Sequence, residues 1–315
     1  MKKIFQTMLA AVVLGIGALA ASASYADYPT KPINLLVAYT AGGGADVFAR
    51  KIVSTIEEQK GWKFVVQSAT GASGSVMATK LKYAKPDGYT IGFAASGAFY
   101  LNPVINDKSR YQPGDFTHLA APAELQMAVV SLSERGWKNL DDMAAYAKEN
   151  GGLSVALQGE ELKQAAETIA QHYGIELRQV PAKGGAGSIA QIMGKHIDLG
   201  IIAGAHVKYV ESGDMVELGV LTNERTALSP NVMTLKEQGV DYVMRNYFQF
   251  SAPKGVSQDI AETLAQAIQD AMQSAEVREL AVERMRLDVT KPLGPNALQE
   301  FIVQTSKNIA VQMKR

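Results

Sequence analysis

The stretch Leu35–Asp46, LLVAYTAGGGAD, decides the fold of this chain. A short apolar run ends at Thr40, three glycines follow, and a helical pattern begins at Ala45. Because glycine has no side chain, such a junction between strand and helix leaves backbone N–H groups open, and the positive end of the helix dipole points at whatever lies above the loop. The stretch therefore predicts an anion-binding site, best suited to a carboxylate or a phosphate.

The first 26 residues have the pattern of a secretory signal peptide. Lys2 and Lys3 form a basic start, Met8–Ala21 is uncharged and apolar, and Ser24 and Ala26 supply small residues where a signal peptidase cleaves. We therefore expect cleavage after Ala26 and a periplasmic location. A membrane anchor is the alternative, but the apolar run is shorter than the roughly 20 residues that a spanning helix needs.

The composition excludes several classes of function. The chain has 31 Lys and Arg residues, 31 Asp and Glu residues and no cysteine. A balanced charge gives no reason to bind nucleic acid or an anionic membrane. Without cysteine there is no disulfide, no thiolate metal ligand, no thiol nucleophile and no lipid-bearing cysteine. These counts favour an exported soluble protein.

Strand-like runs alternate with helical patterns in the rest of the chain, which predicts an α/β fold with parallel sheets covered by helices. We predict two lobes joined by a hinge. Residues 27–125 and 247–315 form the first, discontinuous lobe, and residues 126–246 form the second. The chain crosses between them near Glu124–Ala128 and Arg245–Phe250, and these crossings are the hinge candidates for closure over a ligand.

Each predicted lobe contains one glycine-rich loop that opens a helix. In the first lobe, the helix runs from Ala45 to about Glu58, with Val47 and Ile52 on its buried face. In the second lobe, Lys183–Gly187 follows a strand-like run and opens the next helix. Both loops offer unhindered N–H groups at a helix start. The simpler alternative is that the glycines only permit tight packing of strand on helix.

Several motifs, in order along the chain after residue 26, carry a resemblance to a known family. They are YPTKPINLLV at Tyr28–Val37, GGGAD at Gly42–Asp46, PDGYT at Pro86–Thr90, VPAKG at Val180–Gly184, DL at Asp198–Leu199 and FSAP at Phe250–Pro253. Together they resemble the Bug/TctC family of periplasmic solute receptors, which serve tripartite tricarboxylate transporters. No single motif is specific, so the resemblance rests on their number and order.

The resemblance implies a type II periplasmic-binding-protein fold, with two α/β lobes, a hinge and a ligand cleft between the lobes. It implies a small organic acid as ligand, since known family ligands are mostly carboxylates, and transient contact with membrane transporter subunits. In the family, one loop from each lobe holds the carboxylate. These loops correspond here to Thr40–Asp46 and Lys183–Gly187. We expect no cofactor, no metal, no nucleic acid and no membrane insertion of the mature chain.

The candidate ligand-binding residues lie at or next to predicted strand ends. They are Tyr39, Thr40, Gly43, Gly44, Ser96, Gly97, Gln158, Gly159, Lys183, Gly184, Gly185, Ala186, Ala203 and Tyr247. Tyr39 precedes the first glycine loop, where the family often has an aromatic residue over the cleft; a buried core tyrosine is the alternative. Tyr247 and Phe248 form either a hinge wedge or part of the core. We expect Asp46 to cap the helix or tie the loop.

The chain departs from the family pattern at three places. Gly159–Glu161 (GEE) stands where the family has a hydroxyl-bearing run, Ile202 where amino-acid receptors have an acidic residue, and Ala69–Thr70 where arginine and proline are usual. The two glutamates would repel an anion, so they either face solvent or bind a donor group of the ligand. Apolar Ile202 and Ala203 favour a carboxylate with an apolar or aromatic body.

An enzyme is the rival class. The four histidines form no short-spaced ligand pair, and Gly71–Ser75 lacks the spacing of a nucleophile elbow. Neither glycine loop continues as a P-loop. We therefore predict no catalysis, and we interpret His206, which follows a strand end, as a surface imidazole rather than a residue at the cleft edge. A ligand sensor that signals to a membrane partner has the same sequence pattern and stays open as an alternative to uptake.

Overall fold

The computed structural model describes residues 28–106, 108–157, 160–182, 184–226 and 228–312. Two β-sheets, of six and five strands, form its frame. The expected signal peptide, residues 1–26, lies outside the described residues. The candidate site residues Gln158, Gly159 and Lys183 also lie outside them.

The strands form the frame from which the helices and loops extend. In chain order they are β1 (Ile33–Val37), β2 (Phe64–Ser68), β3 (Thr90–Ala95), β4 (Phe116–Leu125), β5 (Met127–Leu132), β6 (Leu153–Leu157), β7 (Leu177–Pro181), β8 (Leu199–Ala203), β9 (Met215–Val220), β10 (Asn246–Pro253) and β11 (Leu287–Asp288). The first sheet has the order β11-β4-β10-β3-β1-β2, and the second has the order β7-β6-β8-β5-β9. The first sheet is thus built from two separate parts of the chain, and the second is built from the part between them.

The helices connect and cover these strands. They are α1 (Gly44–Lys60), α2 (Ser75–Lys82), α3 (Gly97–Tyr100), α4 (Asn102–Ile105), α5 (Leu140–Glu149), α6 (Glu160–Tyr173), α7 (Gly184–Met193), α8 (Val207–Glu211), α9 (Gln258–Ala271), α10 (Ala275–Glu279) and α11 (Pro295–Gln312). A π-helical turn at Leu280–Arg284 leads from α10 to β11.

Both sheets are mixed, which corrects the expectation of parallel sheets. Strand β1 runs parallel to β2 and β3, but β10 runs antiparallel to both of its neighbours, β3 and β4. In the second sheet, β5 runs antiparallel to β8 and β9. The reason is the route of the chain. The chain enters the second sheet through β5 and re-enters the first sheet through β10. Each of these strands starts at the edge where its neighbours end, so it runs antiparallel to them.

One residue, Gln126, separates the end of β4 in the first sheet from the start of β5 in the second. The chain returns through residues 221–245 and re-enters the first sheet at Asn246. Strand β4 runs in the same direction as β1 and β3, and β5 begins where β8 ends. The strand-end edges of the two sheets therefore meet at this crossing, and the loops after β1, β7 and β8 lie on those edges.

Helix α1 covers the first sheet through one apolar stripe. Phe48, Ile52 and Ile56 are buried, at the spacing of four residues that aligns side chains along a helix. Val47, expected on this face, is 41% exposed. It lies about 100° around the helix from Phe48, which turns it away from the sheet.

A buried polar group lies inside the first sheet at His118 of β4. Its Nδ1 atom is 2.9 Å from the Ser251 hydroxyl and accepts a hydrogen bond of 3.0 Å from the Gln249 amide, both on β10. Burial lowers the pKa of His118 to about 3, because the charged imidazolium would lose its hydration. The imidazole is therefore neutral in the folded protein at neutral pH.

We expect His118 to make stability depend on pH. The unfolded chain takes up the proton below a pKa of about 6.5, whereas the folded chain does so only near a pKa of about 3. Stability is therefore complete above the unfolded pKa and is lost as the pH falls through this window, by at most about 1.4 kcal/mol per pH unit. Urea denaturation of His118→Gln should show a flatter pH dependence than the wild type. An unchanged slope in His118→Gln would refute the assignment.

Candidate functional site

The first glycine loop lies exposed between β1 and α1. Gly42 has a φ of +78°, a conformation that favours glycine, and Gly43 donates a hydrogen bond of 3.1 Å to the Thr40 carbonyl. Gly43 precedes α1 and has no side chain that could accept a hydrogen bond from its first turn. In the described part of the chain, the backbone N–H groups of Gly44 and Ala45 donate no hydrogen bond. A 17-residue helix thus presents open donors and the positive end of its dipole to the loop.

Asp46 ties this loop to the helix. The side chain is 1% exposed, and Oδ2 accepts hydrogen bonds from the Gly42 N–H (2.9 Å) and from Arg50 Nε (2.8 Å). Burial by itself would raise the pKa of Asp46, but the hydrogen bonds and the positive charge of Arg50 hold it below its usual value. The expectation that Asp46 ties the loop is confirmed. Since Arg50 compensates the negative charge of Asp46, this carboxylate does not prevent an anion from binding at the loop.

A second open helix start lies on the edge of the other sheet. Helix α7 begins at Gly184, which has a φ of +70°. Gly185 is half-buried and Ala186 is exposed. Their backbone N–H groups, too, donate no hydrogen bond to any described residue. Strands β1 and β7 end on the edges that meet at the crossing, so α1 and α7 both begin on those edges.

The end of β8 corrects the role expected for Ile202. This side chain is fully buried and packs with Ile189 and Ile192 of α7 in a core cluster. Successive strand residues point to opposite faces of a sheet, so Ile202 faces the covering helix. Ala203 is half-buried at the strand end and remains near the cleft. Of the apolar pair expected at the ligand, Ile202 cannot contact it.

Ser96 and Gly97 lie behind the cleft surface rather than on it. Both are buried, and both form hydrogen bonds with the start of β10, the strand by which the chain returns to the first sheet. The Ser96 hydroxyl donates to Asn246 Oδ1 at 2.9 Å and accepts from the Tyr247 N–H at 3.0 Å. The Gly97 N–H also donates to Asn246 Oδ1, at 3.2 Å. These hydrogen bonds connect the end of β3 to the start of β10. Asn246 accepts two of them, although no sequence motif marks this residue.

The two candidate tyrosines point inward. Tyr247 is fully buried, with its ring centroid 5.3 Å from that of Phe301, and burial followed by the nearby Glu124 charge raises its pKa. It belongs to the core at the hinge and is no ligand contact in this conformation. The Tyr39 hydroxyl accepts a hydrogen bond of 2.8 Å from the Ala95 N–H, and its ring packs edge-on against Phe248. Tyr39 is half-buried and so keeps part of its surface toward the first loop.

An ion pair links the two crossings. Arg245 donates two hydrogen bonds of 2.9 Å to the carboxylate of Glu124, through Nε and one terminal nitrogen. Glu124 is almost fully buried at the end of β4, and Arg245 lies just before β10. The bond to Glu124 raises the pKa of Arg245. Sequence reasoning placed both residues at the crossings but did not pair them, because they are distant along the chain.

His206 also differs from expectation. It is 1% exposed rather than on the surface, and its Nε2 atom lies 2.6 Å from Oε1 of Glu217, which is also buried on β9. Strand β9 is two strands from β8 in the second sheet, so no local pattern announces this pair. The pair lies beneath the loop after β8 and helps to hold it in place.

Two kinds of feature are absent from the residues that the structure describes. No group of three or more His, Cys, Asp or Glu side chains there is arranged to hold a metal ion. Among the helices that the structure describes, none is long and apolar enough to cross a membrane.

Comparison with known proteins identifies the family. Residues 48–311 match the profile of TctC, the tripartite tricarboxylate transporter family receptor. The chain belongs to the TctC family. This confirms the resemblance inferred from the motifs, and the family is one of solute receptors rather than enzymes. A Cupriavidus necator relative, the UPF0065 protein in the gbd 5′ region, is 30% identical over 274 residues, covering 86% of this chain and 83% of the relative. Protein BugT of Bordetella pertussis is 27% identical over 291 residues, covering 87% of each.

Solved structures share the TctC fold. The periplasmic binding protein BugD is 25% identical, with a TM-score of 0.77 over 91% of this chain and 98% of BugD. MatC from Rhodopseudomonas palustris, solved with malate, is 21% identical, with a TM-score of 0.76 over 90% and 99% of the two chains. A second R. palustris protein, solved with adipate, is 24% identical, with a TM-score of 0.75 over 91% and 97%. These likenesses confirm the predicted two-lobed α/β fold of periplasmic binding proteins.

The role of Asp46 can be tested through stability. Asp46→Asn removes the buried charge that Arg50 compensates, and it weakens the bond from the Gly42 N–H. We expect it to lower the free energy of unfolding by about 1–3 kcal/mol, measured by urea denaturation. Asp270→Asn breaks a more exposed ion pair with Lys60 and should cost less than about 1 kcal/mol. Equal losses in the two variants would show that Asp46 is not a structural tie.

Proposed function

We propose that this TctC-family chain is a periplasmic receptor that closes on a small organic carboxylate and delivers it to the membrane subunits of a tripartite tricarboxylate transporter. The observation that carries the proposal is the pair of helix starts, at Gly44 and Gly184, whose next backbone N–H groups donate to no described residue and which lie on the meeting edges of the two sheets. The proposal includes export, with the signal peptide cleaved after Ala26, and lobes bounded at residues 125/126 and 246/247.

Backbone groups would bind the carboxylate. The open N–H groups of Gly44 and Ala45 lie at one side of the cleft, and those of Gly185 and Ala186 at the other. Each helix dipole contributes about 0.3–1 kcal/mol at an exposed site, and more when the closed cleft excludes water. Donors from both lobes reach one ligand only when the cleft is closed, so the ligand binds the closed form more tightly and shifts the population toward it.

The proposed ligand site retains most of the candidate residues predicted from the sequence. It consists of Tyr39, Thr40, Gly43, Gly44, Gly184, Gly185, Ala186 and Ala203, together with Gln158, Gly159 and Lys183. Ser96, Gly97 and Tyr247 are reassigned to the hinge. Two related structures with a dicarboxylate, malate in one and adipate in the other, support a ligand of this class. An apolar body on the acid stays part of the proposal, with Ala203 beside it.

The ligand class can be tested by thermal shift on the mature chain, residues 27–315. The panel contains mono-, di- and tricarboxylates, malate and adipate among them, with sugars, neutral amino acids and amines as comparison groups. A ligand at a hundredfold its Kd adds about 2.7 kcal/mol of stability and raises the Tm by several degrees. We expect shifts among the carboxylates alone. Shifts confined to sugars or amines would refute the proposal.

The first glycine loop can be tested by substitution. Gly44→Leu places a side chain over the open N–H groups, and a Cβ at this position has only an ordinary contact, 3.7 Å from the Met285 methyl group. We expect the affinity for the best carboxylate to fall at least about tenfold, with an unchanged urea midpoint. Gly114→Leu, at an exposed turn where a Cβ meets nothing within 4 Å, is the matched control. If Gly44→Leu binds as the wild type does, the loop is not part of the site.

A further inference from the structure

A C-terminal segment, residues 280–293, which we term the strap, is fixed to the first sheet. It begins with the π-helical turn and continues into β11, which pairs antiparallel with the end of β4. Further on, Leu293 and Ala121 exchange backbone hydrogen bonds of 2.8 and 3.0 Å. The strap is thus held to the outgoing strand β4 at two places, directly beside the crossing.

The strap also touches the second lobe. Gly204, in the loop after β8, has a φ of +53°, and a Cβ there would lie 2.6 Å from the Met285 carbonyl oxygen. Only glycine permits this approach of the two backbones. The next residue, Arg286, forms an ion pair of 2.7 Å with Glu211 of α8. The turn at Met285 and Arg286 is therefore held between elements of the two sheets.

The Met285 side chain extends from this turn to the first glycine loop. Its methyl carbon lies 3.7 Å from the place that a Cβ on Gly44 would occupy. Part of the side chain packs against the first-lobe core, and the residue is half-buried. Met285 therefore contacts a cleft loop of the first lobe with its side chain and a cleft loop of the second lobe with its backbone.

We infer that Met285 is a specificity-determining residue that forms an apolar side wall of the cleft next to the first glycine loop. The inference rests on the proposed function. A thioether offers no strong hydrogen bond to a carboxylate, so the charged end of the ligand goes to the N–H donors and the methionine faces its aliphatic body. This supplies, from a distant part of the chain, the apolar surface that the buried Ile202 does not.

Gly204 and the Arg286–Glu211 pair are positioning residues for this wall. They hold the strap against the second lobe at Met285 and Arg286, while β11 holds it against the first lobe. Lobe closure brings the loop after β8 toward the glycine loop, and Met285 lies between them. The space left beside Met285 in the closed form then limits the length of the acid.

The test is calorimetric titration of the mature chain with succinate, glutarate, adipate and pimelate. Met285→Ala opens room for at least one further methylene, so it should change the ratio of the pimelate to the succinate affinity at least about tenfold in favour of pimelate. Met285→Leu should keep the ratio within about twofold, since it conserves volume. Met272→Ala, at a buried methionine of the same core, should lower the Tm without changing the ratio.

A polar variant covers the case in which the truncation disturbs folding. Met285→Gln keeps the length of the side chain and should lower the affinity for adipate relative to malate about fourfold, the equivalent of one buried methylene. Glu211→Gln should change the same ratios in the direction of Met285→Ala, but less. Arg284→Ala breaks an exposed ion pair with Glu279 in the same segment and should change nothing.

The outcomes separate the two proposals. If the wild type binds these acids and the ratios in Met285→Ala and Met285→Gln equal those of the wild type, the wall is refuted and the receptor function stands. If the wild type binds none of the carboxylates of the full panel, the proposed function is refuted, and the inference about Met285 is refuted with it.

Discussion

The junction at which the chain re-enters the first sheet is fixed to the neighbouring strand and to the other crossing. Asn246 accepts hydrogen bonds from the Ser96 hydroxyl and the Gly97 N–H, and the neighbouring Arg245 binds the Glu124 carboxylate through two bonds of 2.9 Å. Glu124 belongs to the outgoing strand and Arg245 to the returning segment, so this ion pair joins the two crossings. Removing Arg245 would leave the nearly buried charge of Glu124 without compensation, which is costly.

At the two glycine loops, the described residues present backbone N–H donors to the proposed ligand site. The one carboxylate at the first glycine loop, Asp46, is buried and compensated by Arg50. Oriented N–H groups cost little reorganisation when an anion arrives, because the helix already holds them in place. On our proposals, Met285 then supplies the apolar surface and the two loops supply the charge recognition.

Local patterns predicted the elements that carry this site. Each glycine loop follows a strand and opens a helix as expected, and the first helix begins one residue and ends two residues from its expected bounds, since periodicity and glycine act through near neighbours. Strand β4 and helix α11 were not predicted. The sequence of β4, FTHLAAPAEL, mixes small, polar and proline residues, and it forms a strand because β10 returns beside it. Long-range pairing overrides local propensity in such a strand.

The sequence by itself determined the α/β class and the helix starts after the two glycine loops, because each depends on residues close together in the chain. Only the tertiary structure decided which way side chains face. It placed Ile202 and His206 in the core, and it used Ser96 to hold the returning strand. It also brought Met285 next to Gly44 from the far end of the chain. Contacts of this kind depend on which strands become neighbours, and that is settled by the packing of the whole chain.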